Sequence, residues 1–346
     1  MTSFTFIMPA CGVARYVGAA IASLKAQTVE KFEAIVVCEE STDGTLAAVE
    51  NAVDGDPRFT IVPMPCSGSA SVSRNYGITH AHGDYVAFID GDDWVAPDYL
   101  AVLTKAAEHF GHPDLILIDW MFHESGSVRL VRCHELRPET IYTGVESLAE
   151  RLETFFQPGS PANVCRRRFL LDEKLFQIPG RRHQDSEWMP RVNFAAETVV
   201  YLPFAGYHYV KRPGSVTTRP DPKSMADLTD NLISYFDFRE SRPIPPRLVK
   251  PLADWCGENF NCYFGLAWGK PYPAALRRRE YLRLTANGGW RRCRAALAGG
   301  GVSKKMFLPI LAMARIPGLF RVSGVLYRSF RRLALPVLAG LRRRLA

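Results

Sequence analysis

A chain of 346 residues, 47% of them hydrophobic, is too long for one small domain and apolar enough to bury a sizeable core; one large α/β domain with an appendage fits that length. Its eight cysteines are scattered with no Cys-x-x-Cys pair, which argues against a disulfide framework or zinc knuckle and for a reducing cytoplasm. The formal charge of +8 is uneven: Tyr281 to Ala346 hold 14 Lys and Arg and no acid, so the body is mildly acidic and the tail suits an anionic partner.

The opening "MTSFTFIMP" has no basic leader before its apolar run, which stops at Pro9, so no signal peptide is expected. No stretch reaches about 18 uninterrupted apolar residues, so no spanning helix is expected either. "FTFIMP" (4–9) reads as a strand, and Val17, Ala20, Ile21 and Leu24 then recur at the spacing of a helix face. "FEAIVVC" (32–38) is a second strand, and "STDGT" offers capping residues to a helix that carries Leu46, Val49 and Val53. "FTIVP" (59–63) is followed by a helix over 69–81, "YVAFID" (85–90) by a helix from about 97, and "DLILIDW" (114–120) closes the series. Such alternation predicts an α/β fold: a mainly parallel sheet with helices on both faces. Ligands of such sheets bind at the carboxyl ends of the strands. Residues 9–12, 38–41 and 90–93 all fall at such ends and should share one crevice.

Beyond 120 the pattern loosens. "VRLVRC" and "ETIYTG" read as strands, "GVESLAERLETFF" as a helix, and "PANVCRRRFLLDEKLF" (161–176) as a loop entering a short helix. Residues 181–217 offer a polar loop, a helix and two short strands, and 223–287 read as helical around the aromatic "WCGENFNCYFGLAW".

"FIDGDDW" (88–94) places three carboxylates in four positions behind a buried strand. Like charges this close repel, and a divalent metal arriving with a diphosphate relieves them, since Mg²⁺ or Mn²⁺ takes oxygen ligands, only one or two of them carboxylates. A solvated Asp/Gly turn is the alternative, and the apolar flanks weigh against it.

Residues 4 to about 110, with their "FIMPACGVARYVGAAIASLKAQ", "GSASVSRNYGITHAHGDYVAFIDGDDW" and "PDYL", resemble family 2 glycosyltransferases of the GT-A (Rossmann-like) fold. The later "RRHQDSEW" and "YHYVKRPGSVT" are similar to the acidic motif and Tyr-rich strand of bacterial surface-polysaccharide transferases. The resemblance implies inverting transfer of a sugar from a nucleotide-diphosphate donor, a UDP-sugar by preference, to a glycan or lipid-linked acceptor. It implies Asp92 as the Mn²⁺ or Mg²⁺ ligand and Asp185 as the general base, with Glu187 as the fallback. It also places Pro9, Cys11, Glu39, Arg74, Asp90, Asp93 and Arg212 around the donor. Departures are Cys11-Gly12 where the family has Tyr-Asn, Cys38-Glu39-Glu40-Ser41 where it has Asp-Asp-Gly-Ser, and Gln184 in place of the motif's first acid.

The expected organisation is a catalytic domain over 1–218, a helical extension over 219–290 and a basic amphipathic tail over 291–346. In the tail, Val322, Val325, Leu326, Phe330 and Leu333 share one helical face opposite Arg321, Arg328, Arg331 and Arg332. That pattern suits an anionic membrane surface, which predicts a peripheral protein on the inner face of the plasma membrane; a helix packed on the body is the alternative. Without interleaved aromatic residues or a reader motif, no specific nucleic acid is expected. Two other readings remain at this point: a nucleotidyltransferase, and a catalytically degenerate transferase domain that binds glycan or membrane.

Overall fold

In the computed structural model the described residues are 2–132, 136–154, 158–212, 221–255, 272–289 and 291–292. The chain forms two compact units, Met1–Arg219 and Pro220–Ala346. The first unit opens with β1 (Phe4–Ala10), α1 (Val17–Lys25), β2 (Glu33–Glu39), α2 (Thr45–Val53), β3 (Phe59–Met64), α3 (Ala70–His80) and β4 (Tyr85–Phe88). It continues through β5 (Trp94–Val95), α4 (Tyr99–His109), β6 (Leu115–Glu124), β7 (Ser127–Val131), β8 (Ile141–Tyr142) and α5 (Gly144–Thr154). β9 (Asn163–Arg166), α6 (Arg167–Asp172), α7 (Asp185–Ala195) and β10 (Val199–Val210) complete it.

The strands form one mixed sheet in the order β3-β2-β1-β4-β9-β6-β10-β5, with β7 on β6 and β8 on β10. β3, β2, β1 and β4 run parallel, as do β6 and β10. Period-two alternation divides the core between two layers. Phe6 and Met8 lie with Val17, Ala20, Ile21 and Leu24 of α1 on one face. Ile7 and Phe88 face the other way, where Gly77 of α3 comes so close that a Cβ there would sit 2.4 Å from an Ile7 side-chain carbon, and where Phe88 meets Trp188 of α7 edge-on at 5.6 Å.

Three expectations are corrected. Residues 163–166, expected within a loop, form β9, antiparallel to both β4 and β6; Val164 and Cys165 are buried there between two strands that leave a gap of one strand's width. Leu46, expected on the core face of α2, is 37% exposed, and Thr45 is buried instead with its hydroxyl accepting from Val13 N at 3.0 Å. The two short strands expected after α7 are one strand, β10, whose pairing with β6 shifts register between Leu202 and Tyr207, around Pro203 and Gly206.

The second unit contains α8 (Pro222–Glu240), a helix α9 over 246–255, and α10 (Ala274–Ala286). Asp221 caps α8 by accepting from Lys223 N at 2.7 Å, with Pro222 at the first helical position where its missing N–H is harmless. The aromatic stretch 256–268, the Pro213-Gly214-Ser215 continuation of Arg212 and the basic tail from 293 lie outside the described residues. Among the described residues, no helix is long and apolar enough to cross a membrane.

Candidate active site

Four parallel strands deliver their carboxyl ends to one side of the sheet, and side-chain acceptors lock the loops that follow. Asp43 accepts from Ala14 N at 3.0 Å, Ser41 Oγ at 2.8 Å and Thr45 Oγ1 at 2.6 Å, which ties the loop after β2 to the loop after β1. These hydrogen bonds hold its carboxyl down at about 2. Pro9, half-buried on β1, accepts from Gly91 N at 3.3 Å, and a Cβ on Gly91 would lie 3.2 Å from that same carbonyl oxygen. Any larger residue there would press the acidic turn against β1 and Val13.

The three aspartates do not converge; each is drawn to a different counter-group. Asp90 Oδ1 accepts from Arg74 Nη2 at 2.6 Å. Asp92 accepts from Arg212 Nε, whose guanidinium also lies 5.2 Å from the Tyr16 ring centroid. Asp93 is 2% exposed and accepts from Tyr207 OH and, at 2.7 Å, from Val210 N. Burial and the two neighbouring acids push the Asp93 carboxyl well above the ordinary carboxylate range. Asp93, expected on the donor, is buried and fastens the acidic turn to β10. Asp92 is one-fifth exposed, and burial together with Asp90 raises its carboxyl too, against the pull of Arg212.

Arg74 is the centre of a second constellation. It sits on the first turns of α3, whose start is capped by Ser69 accepting from Ser71 N at 3.2 Å. Its guanidinium is 2% exposed, with Nη2 on Asp90 and Nη1 on Asp185 Oδ1 at 3.1 Å. Asp185 begins α7, where the helix N-terminus favours a carboxylate. Its oxygen also accepts from Ser160 Oγ, and Ser160 Oγ in turn accepts from Gln177 Nε2 at 3.2 Å. Burial raises the Asp185 carboxyl above its ordinary value in spite of Arg74, and Asp90 adds to the rise. Glu187, the fallback base, accepts on both oxygens from Arg191 at 2.6 and 3.0 Å and is 6% exposed, so its carboxylate is occupied within its own helix.

Ser160 and Gln177 carry no motif-like signal, and Tyr207, which opens the "YHYVKRPGSVT" block, shows its contact with Asp93 only when the chain is folded. Asn75, one residue past Arg74, bonds both ways with the Gln177 backbone, donating to its carbonyl at 2.7 Å and accepting from its N–H at 2.9 Å. That pair places Gln177 under Ser160. Arg182 Nε donates to Gly68 O at 3.0 Å and Ser69 Oγ donates to Arg181 O, so the polar loop before Asp185 leans on the loop after β3. His183 lies in the left-handed region at φ 53°, two residues before Asp185.

At the far side of the crevice Glu39, nearly buried, accepts from Ser67 N and Ser67 Oγ at 2.8 Å each and from Ser73 Oγ at 2.7 Å. Beside it a cleft of about 320 Å³ is lined by Cys38, Glu39, Glu40, Ser41, Leu46 and prolines of the β3 end. Cys11 is exposed here; partial burial, Cys66 and Glu39 together push its thiol up to about 11. A larger cavity, about 570 Å³, opens among Thr2, Asp84, His112 and Arg166 at the opposite ends of the strands. Its charges are spent locally: Arg166 pairs with Asp114 at 3.3 Å and Thr2 N donates to Glu108 at 3.2 Å.

Residues 5–173 match the family model described as glycosyl transferase family 2. The succinoglycan biosynthesis protein ExoO of Rhizobium meliloti is 29% identical over 224 residues, covering 62% of this chain and 62% of its own. The chain spans about three fifths of the length of such curated relatives. Among solved structures, S. aureus TarS 1-349 in complex with UDP-GlcNAc superposes with a TM-score of 0.74 at 18% identity, over 95% of this chain and 92% of that one. The mannosyltransferase PcManGT from Pyrobaculum calidifontis, in complex with GDP-Man and Mn²⁺, does so with a TM-score of 0.51 at 18% identity, over 88% and 87%. Both likenesses are of fold.

Proposed function

Since residues 5–173 are a family 2 glycosyl transferase domain, we propose that this chain transfers a sugar, with inversion, from a UDP-sugar to a glycan or lipid-linked acceptor in cell-surface polysaccharide synthesis. The observation that carries this reading is Arg74, which holds Asp90 and Asp185 on one guanidinium at the strand ends. In this proposal Asp90 serves the donor ribose and Asp185 the acceptor, the two carboxylates being bridged by that one guanidinium.

Asp185 is the general base in this proposal: its oxygen removes the proton of the acceptor hydroxyl as that hydroxyl attacks the anomeric carbon. Arg74 and Ser160 fix the orientation of Asp185, and its raised carboxyl gives a better proton acceptor than an ordinary aspartate. Glu39 receives the nucleoside from the far side of the crevice, and Arg212 offers a cation to the leaving diphosphate. Asp92 fits an oxygen-seeking Mn²⁺ or Mg²⁺, because such an ion offsets the burial and the Asp90 repulsion that together raise Asp92. Bound there with the donor, the ion supplies charge neutralisation of the departing diphosphate. ExoO's name supports the polysaccharide product, the UDP-GlcNAc complex of TarS the donor class, and the Mn²⁺ of PcManGT the ion.

The test is thermal unfolding of wild type and Asp92→Asn with UDP, GDP or CDP, each with and without Mn²⁺. Ligand at about 100 times its dissociation constant adds about 2.7 kcal/mol to the native state. Stabilisation by UDP that needs Mn²⁺ and disappears in Asp92→Asn is the expected result. No stabilisation by any nucleotide sinks the proposal.

A further inference from the structure

The carboxyl ends of β1, β2 and β3 each deliver one metal-ligating atom to the same point. Adjacent strands lie about 4.8 Å apart, and the parallel register sets Ala10 beside Cys38 and Glu39 beside Met64. The residues at the ends of these strands, Cys11, Glu39 and Cys66, therefore meet. Their two Sγ atoms and a carboxylate oxygen all lie within 4.8 Å of one another, and Cys11 Sγ donates to Glu40 O at 3.8 Å.

We propose that Cys11, Glu39 and Cys66 form a binding site for a thiophilic divalent cation, with Zn²⁺ the ion its donor set suits. Two sulfurs and one oxygen select a soft or borderline ion and are poor ligands for Mg²⁺ or Mn²⁺, which sets this site apart from Asp92. In a tetrahedral zinc site the sulfurs stand about 3.8 Å apart, so small side-chain rotations close the cluster. Glu39 is already oriented by three hydrogen bonds, from Ser67 N, Ser67 Oγ and Ser73 Oγ, as a ligating carboxylate needs to be. Both cysteines are exposed, so the fourth position opens to the crevice and an outside ligand completes the shell. Binding releases both thiol protons to solvent and changes no oxidation state.

A second consequence rests on the proposed function. If Glu39 receives the nucleoside of the donor, a cation held on Glu39 occupies that position, and zinc and UDP compete.

Full-length protein, kept reduced by a phosphine rather than a thiol, is titrated with Co²⁺ as a spectroscopic stand-in. One equivalent should produce thiolate-to-cobalt charge-transfer absorption that Zn²⁺ abolishes by displacement. Cys11→Ser and Cys66→Ser should each lose the band while keeping the wild-type unfolding midpoint in the absence of metal, since both side chains are exposed. Ser73→Ala, which loosens Glu39, should weaken Co²⁺ binding about 10-fold or more. No band in wild type, or an undiminished band in the Cys11→Ser/Cys66→Ser double variant, overturns the site. UDP affinity is then measured with and without Zn²⁺: a loss of about 10-fold in wild type and none in Cys66→Ser supports competition. Cobalt binding without any effect on UDP keeps the cation site and removes Glu39 from the nucleoside.

Discussion

Arg74 is buried with one guanidinium nitrogen on each of two carboxylates, so its removal strands both. Breaking a buried pair by deleting one partner costs about 3–5 kcal/mol. Because Asp90 and Asp185 are each about a quarter exposed, water recovers part of that, and Arg74→Met should lose about 3 kcal/mol in urea unfolding. Arg74→Lys should recover little, since one ammonium cannot reach two acids as a planar fork does. Asp185 makes a separate prediction. The ionised carboxylate is the proposed base, so activity rises as pH climbs through its pKa and falls below it. Burial has raised that value above the ordinary 3.8. The acid limb of the pH profile of kcat/KM should therefore lie above 3.8. Asp185→Asn should abolish the limb and lower kcat by roughly 10²–10⁴-fold with UDP binding retained. Glu187→Gln should leave the limb in place and reduce stability, because Glu187 is occupied by Arg191.

Elements differ in how legible they were. The strand and helix pattern of the first 120 residues is written in local composition and periodicity, because β1, β2 and β4 are buried on both faces and the helices between them on one. Gly77 shows the exception that local reading misses. It looks like an unfavourable residue inside a helix, yet a Cβ there would lie 2.4 to 2.9 Å from three side-chain carbons of Ile7. Gly77→Ala should push α3 off β1 at a cost of about 1–3 kcal/mol. Ile7→Ala should absorb much of that cost, so the double variant should be more stable than the two single losses added together, as measured by a double-mutant cycle. β9 was unreadable for a related reason: "NVCR" is four residues beside an arginine run, and only its two antiparallel neighbours make it a strand. Asp92 could be placed from its position behind β4. The fate of Asp93 could not, because its partner Tyr207 lies 114 residues away. Ser160 likewise joins Arg74 across 86 residues and Asp185 across 25, separations that carry no spacing rule.

On the scale of the whole molecule the charge is divided along the chain. Tyr281 to Ala346 carry 14 Lys and Arg without one acid, against an acidic excess in the rest. Within the second unit some of this is used internally: Arg283 pairs with Asp230 and Glu280, and Arg292 with Asp237 and Glu240. The arginines from 294 onward have no acid in their own stretch of sequence to meet. An acceptor carried on a lipid would place the crevice at a membrane, where basic residues near an anionic surface contribute about 1 kcal/mol each. The full chain should therefore sediment with vesicles containing an anionic lipid and not with neutral ones. Binding should weaken as salt is raised, since the screening length falls from about 10 Å at 0.1 M to about 3 Å at 1 M. Reversing the charge of Arg342, Arg343 and Arg344 to Glu should lower the anionic binding without changing the UDP affinity, because the residues proposed for the nucleotide all lie in the first unit. Equal sedimentation with neutral and anionic vesicles would mean that apolar insertion alone holds the protein. No sedimentation with either would leave the tail to a partner other than lipid.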